Sequence, residues 1–408
     1  MCSHGMPALT SADVADLFFS SQVRLLRRLA NDTGRNQSSL SAATCDSTFS
    51  KEDGRMASLC KVVRNISRVA AIPFVAAIAL AAYVVIASAQ APQGGNPPEK
   101  ITFLLDFTAY GKHAPFFVAR DKGFWKDAGF DVTIVPGAGS ATTVSSYASG
   151  AVDFAFADVP TLILARAKGA HIKVAGIIHD KSLYAIGTLE ENNIKTPQDL
   201  AGKRIGSSIG DASRVLFPAF AQINHIDPAS VHWVDMTPPA RAGSLIVGQV
   251  DAVALFLTEV PTFSAVATEA GKHWKDFSYA DYGLDLYSHG ILVRDELIAN
   301  NPDRVRRFIG ATMRAWAWSI EHPQEALAIF DKDNPAVNPD QAKEHFRIAV
   351  DHIMTDTAKR EGIGYIDPKK MEHTVEVVSK YFNVKGVSAD DVYTNQFTPK
   401  LFPKEVPF

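Results

Sequence analysis

Within eight residues, Asp106, Phe107, Tyr110 and His113 bring together a carboxylate, two aromatic rings and an imidazole. Rings that stack on a flat molecule, with an acid and an imidazole to orient it, suit a small polar or heteroaromatic solute. The plainer alternative is that Asp106 caps a turn and His113 caps a helix beginning near Pro115. Two glycine-containing turns offer a different chemistry. Gly137 to Thr142 (GAGSAT) and Ser207 to Arg214 (SSIGDASR) each join a strand pattern to a helix pattern. Amides around Gly139 and the hydroxyls of Ser140 and Thr142 would then lie at the positive end of a helix, where an anion is stabilised. In the second turn Ser208, Ser213 and Arg214 could grip a carboxylate, sulfonate or phosphate. An ordinary N-cap at Ser140 explains the first turn equally well, and Asp211 opposes a strongly anionic ligand unless it points away. Two further acids end strand patterns, Asp158 after Phe154 to Phe156 and Glu259 after Ala252 to Leu257. Glu259 has the competing role of a charge at a helix N-terminus. The acids favour donors on a solute, whereas Arg214 and the helix ends favour an acid group. A zwitterionic or heteroaromatic molecule satisfies both.

Other chemistry has little to stand on. The 12 histidines are scattered with no His-x-x-x-His, so a dedicated zinc site is not expected. Cys2, Cys45 and Cys60 are the three cysteines, and no thiol follows residue 60. No Walker-type loop is present, so any energy must come from a partner ATPase. No cofactor is expected. Trp316 and Trp318 read as packing residues of a helix.

These candidates need elements to hold them in register. From Lys100 onward short β-rich runs alternate with amphipathic stretches, the pattern of α/β units. Ile101 to Leu105, Val132 to Val135, Phe154 to Phe156 and Val174 to Ile178 read as strands of one half; Lys203 to Gly206, Val231 to Val234 and Ala252 to Leu257 read as strands of another. Gly150-Ala151-Val152-Asp153 and Gly248-Gln249-Val250-Asp251 recur at matching places, each a Gly closing a helix and an Asp opening a strand,. The halves are therefore expected to be lobes of like topology. Leu183 to Thr188 and Tyr287 to Arg294 are β-runs able to cross between them, making a two-strand hinge. The expected limits are 100–189 for the first part of lobe one, 190–285 for lobe two, and 286–408 for the return strand and C-terminal helices. Those helices, Pro302 to Glu321, Pro323 to Phe330, Pro339 to Thr355 and Pro368 to Phe382, are expected on the first lobe.

At 408 residues, 47% hydrophobic and 21% charged, the chain is long enough for two domains. Val69 to Ile86 is an apolar run behind Lys61, Arg64 and Arg68 and ahead of Ala87-Ser88-Ala89. That is the form of a secretory signal peptide cut after Ala89, the alternative being a retained membrane anchor. Residues 56–89 are thus read as a leader and 90–99 as a linker. Residues 1–55 are read as an upstream extension, either mis-called or a disordered tail. Residues 1–89 hold nine Lys and Arg and six Asp and Glu, which leaves 32 against 38 and a net charge of −6, compared with −3 for the whole chain. A mildly acidic surface repels phosphate backbones and anionic lipids, which argues against nucleic-acid partners.

Ile101 to Phe107 (ITFLLDF), His113 to Ala119 (HAPFFVA), Lys122 to Trp125 (KGFW), Gly129 to Val132 (GFDV), Asp199 to Gly206 (DLAGKRIG) and Asn301 to Phe308 (NPDRVRRF) resemble the NMT1/THI5-like proteins over about residues 100–382. The resemblance implies an α/β, type II periplasmic-binding-protein-like fold. It further implies a monomeric solute-binding protein that serves an ABC permease and ATPase from the periplasm, for solutes such as thiamine-precursor pyrimidines, sulfonates or carboxylates. The same family contains an enzyme, the thiamine pyrimidine synthase. The Lys and His that follow Gly-x-Val-Asp in that enzyme match Ala157 and Thr161 here, and its cysteine cluster matches Leu286 to Ile291. An aldimine to pyridoxal phosphate needs a lysine amine, so binding without catalysis is expected. The synthase's phosphate loop falls on Ser207 to Arg214, and related pyrimidine binders place an acid at Glu259.

Overall fold

The computed structural model describes residues 97–404, 406 and 407. The segments expected to be a leader and an upstream extension lie outside the described residues. Among the described residues no helix is long and apolar enough to cross a membrane.

Among the described residues ten strands form two five-stranded sheets. The first holds β1 (Glu99–Leu104), β2 (Phe130–Val135), β3 (Phe154–Asp158), β4 (Ile172–Ile177) and β10 (His289–Arg294) in the order β2-β1-β3-β10-β4. The second holds β5 (Tyr184–Leu189), β6 (Arg204–Ser207), β7 (His232–Asp235), β8 (Ala252–Phe256) and β9 (Trp274–Ser278) in the order β7-β6-β8-β5-β9. In each sheet one strand runs antiparallel to both neighbours, β10 in the first and β5 in the second. Each is the strand that has just arrived from the other lobe.

This topology revises two expectations. Leu183 to Thr188 is not a run between lobes: Tyr184 to Thr188 pairs with β8 in the second sheet. The first crossing is therefore residues 178–183, and lobe two begins ahead of residue 190; most of the Tyr287 to Arg294 run is likewise strand β10 of the first sheet, so the second crossing is residues 279–288. Strand β9 (WKDFS) escaped the sequence reading because Lys275 and Asp276 interrupt its apolar pattern, as is usual for an edge strand.

The helices are α1 (Ala114–Asp121), α2 (Phe124–Asp127), α3 (Ser140–Ala148), α4 (Val159–Arg166), α5 (Ala212–Ile223), α6 (Ala240–Ile246), α7 (Val260–Glu269), α8 (Asp295–Asn300), α9 (Pro302–Glu321), α10 (Pro323–Asp333), α11 (Pro339–Ile353), α12 (Asp356–Glu361), α13 (Pro368–Phe382) and α14 (Ala389–Val392). Prolines at N1 of α9, α10, α11 and α13 set their starts, since the missing amide is one that a helix leaves unbonded there,. Helix α9 seats Phe308 among Phe103, Trp125, Phe130 and Phe154, stacking on Phe154 at a ring separation of 3.8 Å. Trp316 is fully buried, and Trp318 lies under Lys122 at 4.1 Å. Both pack rather than face a cleft. Whereas α9, α10 and α11 contribute to the first sheet's core, α13 packs on α4 of the first lobe and α5 of the second. Helix α13 thus touches both lobes.

Candidate functional site

Parallel strands end where their carboxyl termini reach the space between lobes, and an antiparallel strand reaches the same place with its amino terminus. Registers show this directly, with His289 opposite Asp158 and Tyr184 opposite Phe256. The site is built from both kinds of strand end.

On the first lobe Asp106 follows β1, and its backbone carbonyl accepts from Gly139 N at 3.0 Å. Its carboxylate meets Lys112 Nζ at 2.7 Å, His113 Nε2 at 2.7 Å and His289 Nε2 at 3.1 Å, and all four residues are fully buried. His113 Nδ1 accepts from the Tyr110 amide at 3.0 Å, which leaves the proton on Nε2 to be donated to Asp106. Burial alone would raise the Asp106 carboxyl, but Lys112, His289 and His113 hold it well below the usual range. Burial pushes His113 down, and pushes His289 down to about 4. Both rings are neutral at pH 7, so the wall carries one anion and one cation. His179 lies 5.3 Å from the His289 ring, and burial holds it well below its usual range. Neither of its ring nitrogens has a hydrogen-bond partner among the described residues.

The second lobe answers with Arg241 on α6. Its guanidinium donates to Ala254 O at 2.6 Å and to Glu259 Oε1 at 2.5 Å, and stands 3.6 Å from Asp211 Oδ2. Glu259 Oε2 accepts from the Phe256 amide at 3.0 Å. Asp211 caps α5 through Oδ1, accepting from Ser213 N at 2.8 Å. Its Oδ2 has no hydrogen-bond partner among the described residues. Burial pushes the Asp211 carboxyl up to about 6 against the pull of Arg241. This wall sets two buried carboxyls against one cation.

The walls interlock. Lys112 of lobe one lies over the Phe256 ring of lobe two at 4.7 Å, and Arg241 of lobe two lies over the Phe107 ring of lobe one at 5.0 Å. A desolvated cation over a ring is worth about 2 kcal/mol, so each lobe's charge is held partly by the other lobe's aromatic. Burial, with the Glu259 carboxylate nearby, raises the Tyr110 hydroxyl above its usual range. At the rim Ala141 N donates to Gly210 O at 3.1 Å. Gly139 has φ +129°, and a Cβ there would stand 2.4 Å from Gly210 O, so that approach requires glycine.

Asp106, Phe107, Tyr110, His113, Asp211 and Glu259 are thus brought together. Ser140 joins their edge, its Oγ 3.5 Å from His289 Nε2. The rest are placed differently. Thr142 is exposed at the rim, and the amide of Ala141 is already bonded to Gly210, so the α3 turn is not a row of free donors. Ser208 Oγ donates to Met236 O at 3.1 Å and Ser213 Oγ to Leu255 O at 2.7 Å. Arg214 pairs with Asp235 at 2.5 Å, over the Trp233 ring, and so is turned away from Asp106 and Arg241. Asp158 caps α4 through Thr161 N at 2.7 Å and receives the Tyr184 hydroxyl, tying β3 to β5. Burial pushes its carboxyl up to about 7, opposed by those hydrogen bonds. Sequence reasoning missed Lys112, His179, Arg241 and His289. The direction of β10 is the signal that would have found His289.

The positions matched to the synthase's Lys and His are Ala157, buried in β3 opposite Gly290, and Thr161, bonded to Asp158 through its hydroxyl. They do not fit a cofactor held as an aldimine on that strand. Among the described residues no group of three or more His, Cys, Asp or Glu side chains is arranged to hold a metal ion.

The family model for NMT1/THI5-like proteins matches residues 111–326, more than half of the chain. A 4-amino-5-hydroxymethyl-2-methylpyrimidine phosphate synthase of Candida albicans is 26% identical over 266 residues, covering 61% of this chain and 75% of that protein. A formylaminopyrimidine-binding protein of Halalkalibacterium halodurans is 26% identical over 232 residues, covering 57% of this chain and 69% of that one. Among solved structures, the ligand-binding component of an ABC-type import system from Staphylococcus aureus superposes with a TM-score of 0.56 at 14% identity, over 73% of this chain and 97% of its own. The fold is that of the periplasmic binding proteins, and the chain belongs to the NMT1/THI5-like family.

Proposed function

We propose that the chain is the solute-binding component of an ABC importer, exported as a monomer to the periplasm and capturing a small heteroaromatic solute between its lobes without chemistry on it. An aminopyrimidine fits better than a sulfonate. The observation that carries this is the unequal charge of the cleft. Among the described residues, Lys112 faces Asp106 on lobe one, while lobe two sets Asp211 and Glu259 against Arg241, and Asp211 Oδ2 has no donor. A ring carrying amino groups supplies donors, can stack on Phe107 or Phe256, and can satisfy the His179 ring nitrogens, which have no hydrogen-bond partner among the described residues,. An anion would instead add charge to a cleft already in excess. Opening at the two crossings exposes these groups, and closure buries them. Thermal-shift screening of the full chain against 4-amino-5-hydroxymethyl-2-methylpyrimidine, taurine and a simple carboxylate tests the reading. The pyrimidine should raise the melting temperature saturably. If taurine does so and the pyrimidine does not, the ligand class is wrong.

The likeness to the Candida synthase, together with a buried amine at Lys112, favours a second reading as an enzyme of that kind. Lys112 is ion-paired with Asp106, and its position is not that of the synthase's lysine. Added pyridoxal phosphate should produce no new absorbance band, and a band lost in Lys112→Met would establish the enzyme instead.

A further inference from the structure

A cavity of about 550 Å³ lies beside the hinge, lined by none of the cleft residues above. Its walls come from both lobes and both crossings: Ser182 and Asp285 from the crossings, Asp276 and Asp281 from the β9 side, and His352 and Lys370 from the C-terminal helices. Five aspartates face two lysines there. Three of the five have a cation nearby: Lys370 Nζ is 3.4 Å from Asp180 and 3.9 Å from Asp285, and Asp356 is 3.5 Å from Lys359. Asp276 and Asp281 enter no ion pair among the described residues, and Asp276 accepts only from Trp274 Nε1 at 2.8 Å. Independently, Ser182 is 2% exposed and its hydroxyl has no hydrogen-bond partner among the described residues. A buried hydroxyl without a partner costs stability unless something else bonds it.

We propose that this cavity binds a small organic polycation, a di- or triamine, whose ammonium groups pair with Asp276 and Asp281 and donate to the Ser182 hydroxyl. The volume suits a small organic ligand. An organic cation is favoured over a metal because the aspartates are not grouped closely enough to coordinate one. Desolvation raises the Asp276 carboxyl, with Asp281 adding to it, as expected of a pair that lacks its counter-charge.

Spermidine titrated into the full chain by calorimetry, at ionic strength matched with sodium chloride, tests the site. Saturable binding is expected, absent in Asp276→Asn/Asp281→Asn. Asp281→Asn alone, at an exposed position that does not threaten folding, should weaken it about tenfold. The response should persist in Asp211→Asn, whose change lies in the cleft. No binding to the parent chain, undiminished binding to Asp281→Asn, or binding of calcium but not spermidine would each overturn the proposal. The pyrimidine response is read separately, so either idea can fail without the other.

Discussion

The two walls of the cleft handle buried charge in different ways. Around Asp106, lobe one sets one lysine and neutral imidazoles, so the charges of that cluster cancel and its histidines stay unprotonated at pH 7. Lobe two gives one guanidinium two carboxyls, and only the planar fork of arginine can reach both while also bonding Ala254 O,. The difference makes lobe one a self-contained network and lobe two a half-satisfied one that favours a donor-bearing partner.

Removing the cation from each wall should sharpen the contrast. Arg241→Met leaves two uncompensated buried carboxyls and should cost about 3–5 kcal/mol in urea unfolding, the range for breaking a buried pair. Lys112→Met should cost less, because His113 or His289 can take up a proton beside Asp106. That proton would be held with a raised pKa, so the variant's deficit should be smallest at low pH and grow as pH rises through the imidazole range. Equal deficits with no pH dependence would break the comparison. At the rim, Gly139→Ala combines an unfavourable φ with a clash against Gly210. It should cost about 1–3 kcal/mol and weaken solute capture if the glycine loops meet on closure.

Asp158 gives a signed test of the tie between lobes. Its carboxyl titrates at about 7 in the fold against an ordinary value of 3.8, so the folded state keeps a proton that the unfolded chain releases between those values. Stability from this group therefore falls as pH rises from about 4 to about 7, and the penalty is complete above that. Asp158→Asn carries no such penalty, and its melting-temperature deficit should be larger at pH 5 than at pH 8. The smallest effect belongs to Arg214→Ala. Its pair with Asp235 is partly exposed, worth about 0.2–1 kcal/mol, and solute binding should be unchanged.

Much of this was legible in the sequence because it depends on local pattern. The prolines opening α9 and α13 give those helices their limits, Asp106, Asp158 and Glu259 stand out as acids beside strand ends, and Asp211 as an acid inside the second glycine turn. What stayed hidden depends on chain direction and on partners distant in sequence. Tyr184 and His289 reach the cleft because β5 and β10 run antiparallel, a fact carried by the crossings and not by either segment's composition. Arg241 lies in α6 with no motif around it, and only the fold brings it to Glu259 and Asp211. Arg214 was legible as a cation, but nothing local reveals that Asp235, across the edge of the sheet, captures it.

Calorimetric titration of the full chain with 4-amino-5-hydroxymethyl-2-methylpyrimidine tests the central claim most directly. The account predicts one saturable site, weakened by Asp211→Asn, unaffected by Arg214→Ala, and leaving the pyrimidine chemically unchanged. A pyrimidine that is consumed, or that binds equally well to the Asp211 variant, contradicts it.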